Sequence, residues 1–572
     1  MTKEIVTIAA NAVHAKLHEA SREVKLEVQR VLSYAVAGAE HSDAFKQHRW
    51  DGRSSFLDFR TGSFPAGFLH FVTASLRRKG HEVRILRKPL PAPLGPENPV
   101  VDSFPEDPRY DYQMEVVRRL VKHGQIISQV ATGGGKSRIS RLAFARINRP
   151  TLFLTTRGIL MYQMKDAFEN DLKVGVSVFG DGKFGNVDKE GRATIKRMSV
   201  GMVQTFASKL EETTPELEFK KLLDSAGRKH EKLVQNEIDR LKKSKMASKD
   251  IERVVRSLNS KHDAHMKAVA RKMGQLAEKK AAIQMAERAR TIALLEKFEF
   301  VILEEAHEAA GNTYFDILRH CKNAHYRLAL TATPFMKSDE EANMRLMACS
   351  GPIAIRVSEK TLIERGILAK PHFKIEKLKV QPTHLRRQTS WQAALRLGIV
   401  ENAERNERVV FNALNAASYG LSSMILVQQK KHGEILLEML TKRGLRVEFI
   451  QGEDNQTERK IALSKLAKGE IDALIGTTIL DVGVDVPAVG MIILAGGGKA
   501  EVALRQRIGR GLRAKKYGPN VAFIVDFDDP HNNYLKEHSM QRQAIIKDTE
   551  GFGENIVHDF DFEALGLVKK AV

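Results

Sequence analysis

The sequence predicts an α/β protein of two tandem parallel-sheet lobes, with a small α+β module in front and a basic helical insertion in the first lobe. Three observations carry this expectation. After residue 108, short apolar strands alternate with helical stretches, the pattern of parallel sheets. One of these strands, IISQV (126–130), runs directly into the glycine-rich loop ATGGGKS (131–137). A second series of strands leads to an arginine row, QRIGRGLR (506–513).

Bulk properties set the frame. At 572 residues the chain exceeds one core, and a usual domain size of about 100–200 residues implies about three to five units. A hydrophobic fraction of 42% beside 28% charged residues is globular composition. Lys and Arg outnumber Asp and Glu by 92 to 70, a formal charge of +22. Such an excess favours a polyanionic partner, nucleic acid first, over a merely solubilising surface. Two cysteines, Cys321 and Cys349, are too few for a zinc site or a disulfide framework. A reducing cytoplasm is expected, with no membrane partner, since no run approaches the roughly 18 apolar residues of a membrane span. The amino terminus also lacks the apolar core of a signal peptide.

Along the chain, residues 1–95 form a candidate module closed by the proline-rich linker KPLPAPLGPENPVVDSFPEDP (88–108). Its prolines cannot sustain a helix interior or a central strand. Residues 96–358 are expected to form the first lobe, from IISQV (126–130), TLFLTT (151–156), VGMVQT (200–205), FVILEE (300–305) and RLALTAT (327–333). Residues 359–535 supply the second, from MILV (424–427), VEFI (447–450), ALIGT (473–477), MIILA (491–495) and AFIVDF (522–527). A tail, 536–572, carries no strong signal. The first lobe is interrupted at about 211–297 by a stretch nearly free of Gly and Pro, with apolar residues at helical spacing (Val234, Ile238, Leu241; Ile251, Val254, Leu258). Ser248 precedes one helical run, and Ser260 with Asp263 has capping-box spacing. A helical hairpin or small bundle is expected. Between residues 220 and 290 it holds 20 Lys and Arg against 9 Asp and Glu, half of the chain's net charge.

The chemistry concentrates at strand ends, where open parallel sheets bind ligands. In ATGGGKS, Gly133, Gly134 and Gly135 allow the backbone to turn its N–H groups toward phosphate, and the following helix start adds positive potential. Thr132 flanks that cradle, Lys136 suits the β- and γ-phosphates, and Ser137 suits Mg²⁺. Val130 stands where the general GxxxxGK[ST] pattern has its first glycine. A surface turn is the bland alternative. Strand FVIL ends in Glu304-Glu305-Ala306-His307. One carboxylate, assigned to Glu304, can hold the metal; the other, Glu305, can act as general base on the attacking water. His307 is a relay candidate, and an acidic helix cap is the alternative. Arg507, Arg510 and Arg513 fall on one side of a helix, where they can stabilise charge on a transferring phosphoryl group. A basic helix touching backbone phosphates would look the same in isolation. Trp50 lies among Lys46, His48, Arg49 and Arg53, as a stacking face beside cations or as part of a small core.

In order, these segments resemble the motifs of superfamily 2 helicases: YQ (112–113), ATGGGKS, LTTR (154–157), VQT (203–205), LEEAH (303–307), TAT (331–333), TTILDVGVDVP (477–487) and QRIGRGLR. The resemblance covers about 110–526 and implies two RecA-like lobes with ATP and Mg²⁺ in the cleft between them. It implies Gln113 on the adenine, Gly483, Asp485 and Gln506 near the nucleotide, and Arg510 and Arg513 as arginine fingers. Thr156, Arg157, Gln204, Thr205 and Thr477 would grip the tracking strand. The stretch AFKQHRWDGRSSFLDFRTGSFPAGFL (44–69) resembles the amino-terminal domain of phage recombination helicases, with Trp50 and Arg53 as nucleic-acid contacts. That implies branched DNA as the partner (forks, D-loops, Holliday junctions), recombination or replication proteins nearby, a monomer, and the host-cell cytoplasm. An RNA helicase and a non-catalytic annealing or scaffold protein are the alternatives. Glu304 departs from the Asp usual in the family.

Overall fold

The computed structural model describes residues 4–102, 107–187, 193–306, 312–335, 339–451, 456–477, 489–498, 508–509, 512–515 and 518–570. Among them no helix is long and apolar enough to cross a membrane.

The amino-terminal module is a four-stranded sheet in the order Ser63–Pro65, His14–His18, Ile5–Ala10, Glu82–Arg87. Alternation places Val6, Ile8, Ala15 and Leu17 on its buried face. Helices Arg22–Val31 and Leu69–Arg78 supply apolar partners to the same core. Met344 and Ala348, from helix Glu340–Ser350 of the first lobe, complete that core, so the module is docked rather than tethered. Gly67 marks the closest approach. A Cβ there would stand 2.1 Å from the Met347 carbonyl oxygen.

Residues 88–102 of the linker have no regular structure, in keeping with their prolines, but they are fastened across the first lobe. Tyr326 donates to the Pro91 carbonyl at 2.6 Å, and Gly95 lies against Ala145, where a side chain would not fit.

The first lobe holds an eight-stranded sheet. Its order is Lys183–Phe184, Val176–Gly180, Met198–Met202, Thr151–Thr155, Phe300–Glu304, Tyr326–Thr331, Gln125–Val130, Ile353–Val357. All neighbours pair in parallel except the short first strand. The second lobe is a seven-stranded parallel sheet, ordered Val447–Ile450, Ala473–Gly476, Ser423–Leu426, Met491–Ile493, Val521–Asp528, Lys370–Lys377, Ile556–Val557. Helix Asn533–Asp548 crosses position 535, and Phe560 and Phe562 pack with the second sheet, so the residues after 535 cover that lobe.

Three expectations are corrected. VQT does not finish a strand: the strand ends at Met202, and helix Val203–Leu210 begins there, putting Gln204 and Thr205 in a first helical turn. Ser260 and Asp263 cap nothing, because both lie inside the helix Ser248–Leu295. Ser248 is that helix's first residue, and its N-cap is Ala247. The insertion is a hairpin of two helices, Pro215–Lys243 and Ser248–Leu295. Thr214 caps the first by accepting from the Leu217 N–H, with Pro215 at the position a helix start tolerates. At 1.5 Å per residue the two run about 43 and 72 Å. Only Leu241 is buried in the first and only Ala277, Ala281, Thr291, Leu294 and Leu295 in the second, so the hairpin projects into solvent. Its base is held by the Lys209–Glu287 ion pair at 3.1 Å and by Arg288 donating to the Leu210 carbonyl.

Candidate nucleotide site between two sheets

Strand order brings three predicted segments side by side. The strand leading to the phosphate loop lies next to Tyr326–Thr331, which lies next to Phe300–Glu304. Register fixes their heights: Glu304 is level with Leu330, and Leu330 with Ser128. Two strand spacings of about 4.8 Å thus place Glu304 roughly 10 Å across the sheet from Ser128, three residues before the loop begins.

The loop is shaped by backbone that only glycine adopts cheaply. Gly133 has φ +88° and Gly135 φ +78°, the latter as N-cap of helix Lys136–Ile147. A Cβ at Gly135 would stand 2.4 Å from the Gln113 side-chain nitrogen. Lys136, the first helical residue, is buried, while Ser137 is exposed and Thr132 half-buried.

Helix Asp111–His123 holds the loop from behind. Tyr112 donates its hydroxyl to the Gly134 carbonyl at 2.7 Å, and Gln113 donates its amide to the same oxygen at 3.2 Å. Arg138 donates to the Gln113 amide oxygen at 2.7 Å and pairs with Asp102 at 3.0 Å. Burial keeps the Tyr112 phenol well above its usual range, so it remains a donor. Gln113 is therefore tied to the loop itself, a link that sequence order alone does not disclose.

Glu304 and Glu305 are both buried, and Glu305 has φ +50°. A left-handed backbone at a residue with a Cβ costs about 1–2 kcal/mol, and such strain persists where the surroundings fix a functional turn. Thr331 and Thr333 of TAT are buried; the Thr333 N–H donates to the Thr331 hydroxyl at 3.2 Å. Gln129, beside the loop, donates to the Ala332 carbonyl at 3.3 Å, joining TAT to the phosphate-loop strand.

From the second sheet, residues 508–509 and 512–513 lie against this site. Ile508 and Leu512 are buried in a core shared with Val130, Ala131, Leu362 and Leu368 of the first sheet and the connection. Arg513 pairs with Leu368 as an isolated bridge and is exposed. Gly509 lies on the loop: a Cβ there would stand 2.7 Å from the Thr132 Cβ. Gly133 in turn faces Leu368, whose Cδ2 would be 2.8 Å from an added Cβ. Arg365, just after helix Glu359–Glu364, pairs with Asp111 and stacks over the Tyr112 ring at 5.6 Å. Arg507, Arg510, Gln506, His307, Gly483 and Asp485 lie outside the described residues.

The predicted strand-contact residues fall at the same ends of both sheets. Gln204 donates to the Thr156 carbonyl at 3.3 Å, and the Arg157 N–H donates to Thr155 Oγ1 at 3.2 Å, so LTTR and VQT form one unit. Thr477 follows the strand Ala473–Gly476 and is half-buried. Trp50 and Arg53 lie apart from these, in the amino-terminal module. The Trp50 indole donates to the Arg53 carbonyl at 2.6 Å. Arg53 pairs with Glu340 at 3.3 Å, and Glu340 also accepts from the Ala35 N–H at 2.8 Å. Arg53 thus fastens the module to the first lobe.

The fit to a metal nucleotide rests on the donor set: a glycine loop, a buried lysine, a serine at the helix start and two buried carboxylates. Among the described residues no cluster of three or more His, Cys, Asp or Glu could hold a metal by itself. Mg²⁺ is commonly bound through one or two side chains with phosphates and water making up the rest, so such a donor set suits it. Cys321 and Cys349 are buried, with thiols pushed up to about 12 by burial, and remain outside the chemistry.

A phosphate loop on one parallel sheet, covered by a segment of the next, defines the class of two-lobed nucleotide motors with RecA-like lobes. Within it, the chain belongs to the superfamily 2 helicases. Residues 107–336 match the family model for the type III restriction enzyme res subunit, and residues 405–515 that for the helicase conserved C-terminal domain. A protein described as helicase 22, from a Sulfolobus islandicus filamentous virus, is 22% identical over 270 residues, 45% of this chain and 47% of that one. IRC3 of Saccharomyces cerevisiae, described as an ATP-dependent helicase, is 24% identical over 238 residues, 40% of this chain and 33% of its own length. The chain thus spans less than half of the curated relatives it matches. The crystal structure of T4 UvsW is similar at 16% identity, covering 96% of this chain and 98% of that one with a TM-score of 0.41.

Proposed function

We propose that this protein is an ATP-driven DNA translocase that unwinds and remodels branched DNA (forks, D-loops and four-way junctions) in recombination, replication or repair. The observation that supports it most is the seating of Gly509 on Thr132. The segment that should supply Arg510 and Arg513 lies directly over the loop that should hold the triphosphate.

In this reading Lys136 offsets charge on the β- and γ-phosphates, and Gln113, already tied to the loop, couples adenine recognition to its shape. Mg²⁺, when bound, neutralises the phosphate oxygens; Ser137 and Glu304 would hold it. Glu305 takes the proton of the attacking water, its carboxylate aimed by the left-handed turn. Arg510 and Arg513 stabilise the charge that builds on the transferring group. Thr156, Arg157, Gln204, Thr205 and Thr477 grip backbone phosphates, which positions a strand without reading bases. Closure of the lobes on ATP, and opening after hydrolysis, alternates that grip and moves the strand. The hairpin, with 20 basic residues against 9 acidic ones between 220 and 290, clamps duplex or displaced strand outside the motor.

The test is steady-state ATP hydrolysis with single-stranded, forked and four-way DNA against matched RNA. Branched DNA should stimulate most, and Lys136→Ala should lose at least about a hundredfold. Equal stimulation by RNA would reject the DNA assignment, and no hydrolysis with any polymer would reject the motor. Replacing the hairpin with a short linker should flatten the salt dependence of DNA affinity; an unchanged slope would remove the clamp.

A further inference from the structure

At the opposite end of the first sheet from the phosphate loop, a groove of about 770 Å³ separates the amino-terminal module from the lobe. Its floor includes Gln125 and Ile126, the first residues of the phosphate-loop strand, and Gly351 to Ile353, which open the neighbouring strand. A six-residue strand spans about 17 Å, so this groove is separate from the nucleotide cleft.

Its walls are cationic. Arg77 and Arg87 come from the module, and Arg118, Arg119 and Lys122 from helix Asp111–His123. The one lining carboxylate, Glu115, is already bridged by Arg118 at 3.1 Å and Arg119 at 2.8 Å. Among the described residues neither Arg77, Arg87 nor Lys122 has an ion-pair partner, and the buried Arg87 Nη2 makes no hydrogen bond. Helix polarity does not account for them. Helices Leu69–Arg78 and Asp111–His123 both end here, but each C-terminus is equivalent to only about half a negative charge. Five cations against one carboxylate and two such ends leave roughly three charges uncompensated. His70 and His123 add donors, and the His123 imidazole is held below its ordinary value by burial and then by Lys122, His70 and Arg119.

The groove is also preformed. Gln125 donates to the Ala12 carbonyl at 2.7 Å, Gly67 lies against the Met347 carbonyl, and Arg53 pairs with Glu340, so both walls are fixed relative to each other. Unpaired guanidinium groups in a fixed recess prefer phosphate, whose oxygens accept their paired N–H groups. We infer that this groove is a second phosphate-binding site, with Arg77, Arg87 and Lys122 as its free cations. The phosphates belong either to the backbone of a duplex arm or to a free polyphosphate. The site does not rest on the motor reading, because none of its residues belongs to the nucleotide cleft.

The variant R77Q/R87Q/K122Q in the full chain tests it, leaving Arg118 and Arg119 in their bonds to Glu115 and the Ala354 carbonyl. Duplex-armed fork DNA is titrated over a range of salt, and inorganic tripolyphosphate is titrated into each protein on a Lys136→Ala background that disables the phosphate loop. If a DNA arm occupies the groove, the slope of log affinity against log salt falls by about 2–3. If a free polyphosphate occupies it, the slope holds and tripolyphosphate binding weakens at least tenfold. Neither change, in protein whose melting temperature is unaltered, overturns the site. The charge-keeping R77K/R87K should bind between wild type and the triple variant, since lysine keeps the charge but not the paired N–H groups; binding weaker than that of the triple variant would also overturn the site. Unstimulated ATP hydrolysis should match wild type in the triple variant, so failure of the motor reading registers separately.

Discussion

The two sheets bury arginine in opposite ways. In the first, Arg327 is buried at the amino end of its strand and meets no carboxylate. It donates to the carbonyls of Ala324, Cys349, Leu318 and Cys321 at 3.1–3.3 Å. In the second, Arg405 and Arg542 are buried at the carboxyl ends among acids. Arg405 pairs with Asp529 at 2.6 Å and lies 4.3 Å over the Phe527 ring; Arg542 pairs with Asp526 at 3.0 Å. Burial pushes Asp529 up and Arg405 down, and each is countered by the charge of the other. The two arginines also hold the turn after Met491–Ile493: Arg405 donates to Ala495, Arg542 to Gly498, and Gln428 to Gly497 between them. The difference follows from what each sheet must shape. The first forms its strand-end loop from glycine backbone tied to Tyr112 and Gln113, and keeps the buried Arg327 at the far end. The second has its own glycine turn, with φ +67° at Gly497 and +100° at Gly498, and there a network of buried ion pairs fixes the turn.

That contrast is broken most directly at Arg405. Arg405→Ala leaves Asp529, 3% exposed, without its closest partner. Removing one member of a buried pair costs about 3–5 kcal/mol, so denaturant unfolding should show a loss of that size. Replacing both as Arg405→Leu with Asp529→Leu should recover most of it. A wild-type midpoint for the single variant would mean that the turn is held by something else.

These two regions were not equally legible in the sequence. The adjacency of the glycine loop, Glu304-Glu305 and TAT at neighbouring strand ends was expected, because polar and glycine residues directly after apolar strands mark the ligand-binding edge of a parallel sheet. The hairpin was readable from its helical spacing and lack of Gly and Pro. The buried pairs were not, since Arg405 and Asp529 are 124 positions apart and only the order of strands brings them together. Nor were strands Val176–Gly180, Ile353–Val357 and Lys370–Lys377: Arg356, Lys370 and Lys374 interrupt the apolar signal of the last two, and VSVFG is short. VQT read as strand because Val is β-branched. The helix wins there because Val203, Phe206 and Leu210 bury one face at helical spacing.

A smaller effect comes from His432, which shares the Arg405 neighbourhood. It is buried, its Nε2 lies 2.9 Å from the Asn406 amide oxygen, and burial, then Arg405, lowers its pKa to about 3. The unfolded chain takes up that proton near pH 6.5, the folded one not until about 3. The contribution of His432 is therefore full above pH 6.5 and is lost progressively as pH falls toward 3. Between pH 6.5 and 5 the wild type should lose roughly 2 kcal/mol more than His432→Gln in paired denaturation curves. Parallel pH profiles would show that the second lobe admits a charged imidazole.

The smallest effect is expected at Glu304, where the first sheet's backbone-formed site faces its own test. Asp is the usual residue at this position in the family, and Glu carries one more methylene. Mg²⁺ demands tight octahedral geometry, yet a carboxylate that reaches the ion through water can absorb a shift of that length. Strand pairing with Leu330 and Leu303's register with Leu154 fix where the side chain starts, and neither depends on Glu or Asp. Glu304→Asp should therefore keep the melting temperature within a degree or two and raise or lower kcat for DNA-stimulated ATP hydrolysis by less than about tenfold. A larger change would show direct coordination, with the cleft shaped around the longer side chain. Hydrolysis by neither protein would remove the nucleotide site from the first sheet, and with it the reason for the contrast between the two lobes.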